Sequence, residues 1–151
     1  MNIKAFFEAQ KEKNTKIVID ESLSNYKISA RKHLELHTKL GHLADETKCY
    51  KYWIGDEINF DNDVVFSKYI DCFSNIISVG IDKGYDSIDE VPIKPNDYCL
   101  SDQFLNLFID LNDLIISPSE DHYITLIEDF ISLGITLGYS DSKISNGFIN
   151  M

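Results

Sequence analysis

In residues 64–85, "VVFSKYIDCFSNIISVGIDKGY", apolar side chains return every three or four positions, placing Val65, Tyr69, Cys72, Phe73, Ile76 and Ile77 on one side of a helix. A half-buried strand would alternate instead, and the helical spacing recurs along most of the chain. Only 7 glycines and 3 prolines stand among 151 residues to interrupt it. The pattern predicts an all-α fold: one domain over residues 1–151, built as an antiparallel bundle of about six helices.

The elements follow from the punctuation. Ile3, Phe6, Phe7 and Ile17 predict a first helix to about Ile19, closed by a polar break at Asp20–Asn25. Leu36, Leu40, Leu43, Ala44, Thr47 and Tyr50 share a stripe on a second helix from about Tyr26 to Trp53. After "GDEINFDND", Asp63 is the expected N-cap of the third helix, which ends near Gly84. "YDSIDEVPIKPND" is a linker to a fourth helix, Tyr98–Ile116. Pro118 and Ser119 open a fifth from Glu120 to Leu137, with Gly138 as its C-cap, and Ser140–Asp141–Ser142 open a short sixth. No internal repeat stands out. Helices four and five are so uniformly apolar that they are either central in the bundle or buried against another subunit.

Composition limits the partners. The net charge of −11 disfavours a nucleic-acid backbone, though a few local cations suffice for a free nucleotide. No uninterrupted apolar run reaches the ~18 residues of a membrane span, and "MNIKAFFEAQKEKNTK" turns polar before any signal-peptide core develops. Cys49, Cys72 and Cys99 are odd in number and without CxxC spacing, as expected of reduced thiols in a cytoplasmic protein, with Cys49 and Cys72 at least partly buried.

One stretch is more specific. "KLGHLADETKCYKYW", residues 39–53, resembles the "ELGELANETRCFKYW" of the dimeric, all-α dUTPase family, relatives of the MazG-like NTP pyrophosphatases. "KYIDCFSNIISVGID" at 68–82 resembles the family's "EYVDGLHFLLSLGLE", and the N-terminal "FFEAQKEKNTKI" its "LFEMQKELDERI". The resemblance implies an E-x-x-E pair on one helix and an E-x-x-D pair on the next. Four such carboxylates make an oxygen cage for Mg²⁺, which would clamp phosphates and activate water. Here those positions are Lys39, His42, Lys68 and Asp71, and only Asp71 matches. Asp45 and Glu46 survive nearby but do not belong to the family cage. Relatives also continue into a phosphate-holding "KNxxNxxRQ" segment where this chain stops at "GFINM".

The expectation is therefore a catalytically silent dUTPase-like protein without a metal cofactor, acting by binding a deoxyuridine nucleotide or a protein partner. The alternative is an active, Mg²⁺-dependent dUTP diphosphatase. By the same resemblance, Gln10 and Asn14 read the uracil edge, while Lys51 and Trp53 belong to the sugar and base pocket. Lys39 and Lys68 either hold a triphosphate without metal or merely neutralise Asp71 and its acidic neighbours. A homodimer is expected, with no nucleic acid and no membrane as partner.

Overall fold

The computed structural model describes residues 1–151 as six helices: α1 (Ile3–Asn14), α2 (Asn25–Thr47), α3 (Asn62–Lys83), α4 (Leu100–Ile116), α5 (Glu120–Thr136) and α6 (Asp141–Ile149). Helix α2 packs along α3, α4 packs along α5, and α1 and α6 lie against α3. The 29 buried apolar residues form one contiguous core, and α3 runs through it. By length and mean hydropathy α3 is long and apolar enough to cross a membrane, which a search for uninterrupted apolar runs misses. Half of that window is buried, and its apolar residues are the centre of the bundle.

Helices α3 and α5 are held by a reciprocal contact. The Tyr69 hydroxyl of α3 donates to the Phe130 carbonyl of α5 at 2.9 Å, and the Tyr123 hydroxyl of α5 donates to the Ile76 carbonyl of α3 at 2.9 Å. Each ring lies where a side chain would otherwise stand: Tyr123 covers Gly80, and Tyr69 covers Gly134. These pairs obey one offset of 54 residues, Tyr69 to Tyr123, Ile76 to Phe130 and Gly80 to Gly134. The same offset superposes "ISVGI" on "ISLGI" and Gly84–Tyr85 on Gly138–Tyr139. The expectation of no internal repeat is thus corrected: α3 and α5 are repeated segments docked face to face, their likeness hidden by different polar residues between the matching positions.

Element ends differ from the sequence reading for local reasons. Helix α1 stops at Asn14 because the β-branched run Thr15, Ile17, Val18 and Ile19 is a poor helix former, and the Thr15 hydroxyl instead donates to the Glu12 carbonyl at 2.6 Å. Ile17, expected inside, is exposed. Helix α2 ends at Thr47, not Trp53, because Lys48 turns left-handed at φ 52°. A clasp fixes that turn: Tyr50 donates to Asp45 at 2.8 Å and Lys48 pairs with the same carboxylate at 3.0 Å. Tyr50 therefore leaves the buried stripe and is exposed. The N-cap of α3 is Asp61, whose carboxylate accepts from the Asp63 and Val64 amides. In the 85–97 linker, Ile88 and Val91 are buried, and the Asp89 carbonyl accepts from the amides of Ile3 and Lys4.

Two buried titratable groups lack full partners. Asp110 of α4 packs by Asp129 of α5, which accepts from Asn106 at 3.1 Å, and Asp110 Oδ2 has no partner. Burial, then the Asp129 carboxylate and the charge of Asp113, push Asp110 up to about 8. His33 of α2 is buried with neither ring nitrogen bonded, and burial with the charges of Lys83 and His37 lowers it to about 4.

Both features predict stability changes. Gly80→Ala should destabilise by roughly 1–3 kcal/mol through overpacking against Tyr123. Gly41→Ala, in helix α2 with open space at its Cβ position, should stabilise by about 0.5–1 kcal/mol. Urea melts of the two variants should shift in opposite directions. A raised folded-state carboxyl pKa favours the fold only while the proton is held, so the contribution of Asp110 is lost as pH rises from about 4 to about 8. Asp110→Asn should flatten that loss, raising the Tm at pH 8 by ~2–4 °C and changing it little at pH 4.

Candidate functional site

The inward face of α3 is not wholly apolar. Asp71, Ser74, Asn75 and Ser78 recur at helical spacing and form one wall of a cavity of about 400 Å³. Helix α1 supplies Gln10 and Asn14, α2 supplies Ile28, Arg31, Lys32 and Glu35, and the loop after α1 brings Ile17, Ile19 and Leu23 to its mouth.

A chain of hydrogen bonds fixes the amides between α1 and α3. Ser74 Oγ donates to Gln10 Oε1 at 2.6 Å, Gln10 Nε2 donates to Asn14 Oδ1 at 2.9 Å, and Asn14 Nδ2 reaches Ser78 Oγ at 3.4 Å. Gln10 is buried and Asn14 half-buried, so the first amide orients the second and the second faces the space. Asn75 Nδ2 donates back to the Asp71 carbonyl at 2.9 Å, committing that donor within α3.

At one end of the cavity Lys39 Nζ of α2 lies 2.7 Å from Asp71 Oδ2. The hydrogen bond to Asp71 holds the Lys39 ammonium above the usual lysine value, against the opposing effect of burial. Cys72, beside this pair, is fully buried, and burial pushes its thiol up, leaving it protonated and unreactive. Lys68 makes no ion pair and lines a second cavity with Phe66, Ser67, Ile70, Gly147 and Met151; Asp71 is the one residue both cavities share. His42 is exposed and Glu46 half-buried further along α2, and neither lines the main cavity. Nowhere do three His, Cys, Asp or Glu side chains gather.

The structure thus brings Gln10, Asn14 and Asp71 together but not Lys51 and Trp53. Those two lie in the loop after α2, along a shallow groove with Lys48, Tyr50, Glu57, Ile58 and Asn59 that shares no residue with the main cavity. The Lys51 ammonium donates to the carbonyls of Gly55 and Asp56, and Trp53 meets Tyr52 edge-on at 5.2 Å while remaining 45% exposed.

Sequence reasoning missed Ser74, Asn75 and Ser78, and also Arg31, Lys32 and Glu35. The first three were detectable as polar residues spaced along one line of an otherwise apolar helix. The second three look like any solvated helix face until α3 is placed opposite them.

Comparison with known proteins agrees with the motif-level resemblance. No curated protein and no solved structure matches the chain. A family model described as dUTPase matches residues 2–151, all six helices included. On that match, the chain belongs to the dUTPase family.

Proposed function

We propose that this chain is a dUTPase-family protein that binds its ligand without hydrolysing it. The observation that carries the reading is the ion pair between Lys39 and Asp71, 2.7 Å apart. Mg²⁺ requires a near-octahedral set of oxygen ligands. At this site one carboxylate is already engaged by an ammonium, and the remaining positions are Lys68 and an exposed His42. An ion brought here meets repulsion where a carboxylate cage would attract it, so the donor set does not fit the metal. Without a metal, neither an activated water nor a counter-charge for the leaving pyrophosphate is supplied. Beside Asp71, Cys72 is buried and protonated and Asn75 and Ser74 do not titrate near neutrality, so the cavity carboxylate without an ion pair, Glu35, would have to activate a water with no metal to help it.

The chain is also proposed to act as a homodimer in the cytoplasm. Helix α5 spends its apolar residues on the core, with eight of its 17 positions buried. Helix α4 does not: Leu105, Ile109 and Ile116 lie along one outer stripe at 66%, 56% and 82% exposure. A second copy covering this stripe would remove it from water, and an obligate two-fold interface buries on the order of 2,000 Å² or more.

Two measurements test these proposals. Pyrophosphate release from dUTP, assayed with Mg²⁺ or Mn²⁺ at high protein concentration, should stay at background, and turnover of ~1 s⁻¹ or faster would overturn the non-hydrolysing reading. Light scattering at micromolar concentration should give twice the chain mass, falling to the monomer mass in Leu105→Glu with Ile109→Glu. A monomeric wild-type chain would refute the dimer.

A further inference from the structure

The loop between α2 and α3 holds a run of apolar side chains in water. Every residue from Tyr52 to Val64 is exposed, among them Tyr52 at 92%, Ile54 at 103% and Phe60 at 48%. Single exposed apolar residues are ordinary, whereas several gathered in one short segment mark a surface that another molecule covers. The loop is also held in shape. The Lys51 ammonium donates to the carbonyls of Gly55 and Asp56, and both of those residues are left-handed, at φ 102° and 46°, in the tight turn that follows Ile54. Tyr52 stands edge-on to Trp53 at 5.2 Å, Tyr50 lies 6.5 Å from the same indole, and the Asp61 N-cap anchors the far end. A surface ordered in advance loses less freedom when a partner docks.

Charge selects the partner. Asp56, Glu57, Asp61 and Asp63 lie among these apolar residues, with no cation between Tyr52 and Val64. None of the four forms an ion pair. The two lysines ahead of them are already engaged, Lys48 by Asp45 at 3.0 Å and Lys51 by the two loop carbonyls. Such a surface repels a nucleic acid, an anionic membrane and the same loop of a second copy, and attracts a cationic partner. The groove of about 330 Å³ lined by Tyr50, Trp53 and Glu57 adds a chemical preference. A guanidinium lies flat on an indole and donates in-plane to a carboxylate, whereas an ammonium is a compact, strongly hydrated point charge.

We propose that this loop docks a basic segment of another polypeptide, with an arginine taken by Trp53 and Glu57 and apolar side chains of the segment covering Ile54 and Phe60. The proposal is independent of what the Asp71 cavity does to its ligand, because the groove and that cavity share no residue.

Trp53 is the only tryptophan of the chain, so its fluorescence reports from the groove itself. The probe is a short amidated peptide of alternating arginine and leucine, compared with its lysine–leucine and glutamate–leucine counterparts. The arginine peptide should change Trp53 emission saturably below ~1 mM, the lysine peptide should bind about threefold or more weaker, and the glutamate peptide should not bind. Raising NaCl from about 50 to about 500 mM should weaken the arginine peptide about tenfold. Asp56→Asn with Glu57→Gln, in the exposed loop, should weaken it about tenfold, and Ile54→Ser about threefold, with melting temperatures unchanged. Glu8→Gln with Glu12→Gln removes the same charge from the exposed face of α1 and should leave binding as it was. The proposal is overturned if the arginine peptide does not bind, if the glutamate peptide binds as well, or if the α1 pair weakens binding as much as the loop pair, which would show only attraction to a chain of net charge −11. It is equally overturned if Ile54→Ser converts a dimeric protein to monomers in light scattering, since the loop would then be covered by a second copy.

Discussion

The reciprocal docking of Tyr69 and Tyr123 onto Gly134 and Gly80 sets the position of everything else. Two phenol rings reach the opposite helix backbone because glycine leaves room for them, and each hydroxyl finds a main-chain carbonyl so that neither phenol is buried unpaired. Tyr69 also stacks on Phe130 at 4.5 Å, extending the contact along the helix pair. With α3 and α5 locked in rotation by these contacts, the side of α3 bearing Asp71, Ser74, Asn75 and Ser78 is turned towards α1 and α2. A shift of α3 about its axis would carry those polar groups into the core and leave them without partners.

On the proposed reading, that placement makes the lysine at residue 39 consequential. A lysine on an exposed helix face would be one more solvated charge. Opposite Asp71 it becomes an ion pair at the edge of a cavity, where a relative with the family motif would have two carboxylates facing each other. Both partners remain partly exposed, 31% for Lys39 and 41% for Asp71, so the pair adds little to stability. On the proposed reading its effect is on the chemistry of the cavity, where it engages the Asp71 carboxylate. The repeated segments carry their own contrast: Asn75 of α3 corresponds by the 54-residue offset to Asp129 of α5. At Asp129 a second carboxylate, Asp110, is buried alongside and pushed up to about 8 instead of being paired with a cation.

The helices were legible in the sequence because their information is local: periodicity, the Ser119 and Ser140 N-caps, and the glycines that close α3 and α5. Two C-terminal ends were misread, and the N-cap of α3 lies two residues before the expected Asp63. The Lys48 reversal is set by a three-residue clasp with Asp45 and Tyr50, and no periodic pattern announces it. The end of α1 depends on a β-branched run whose hydrophobicity resembles core. Within the site, Gln10, Asn14 and Asp71 were found through the family motif. Arg31, Lys32 and Glu35 were not, because their role arises only when α3 lies opposite. The repeat of α3 in α5 escaped notice because its matching residues serve packing and are diluted by mismatched polar ones, and only the paired Tyr–Gly contacts reveal it.

The central claim is that an ammonium–carboxylate pair stands in place of a metal cage. Electron paramagnetic resonance of Mn²⁺ titrated into the protein reads this directly, since bound Mn²⁺ loses the sharp six-line signal of the free ion. The account predicts no stoichiometric site: the free-ion signal should grow linearly from the first addition, and Asp71→Asn should change nothing. A site filled at one or two ions per chain and abolished by Asp71→Asn would contradict it.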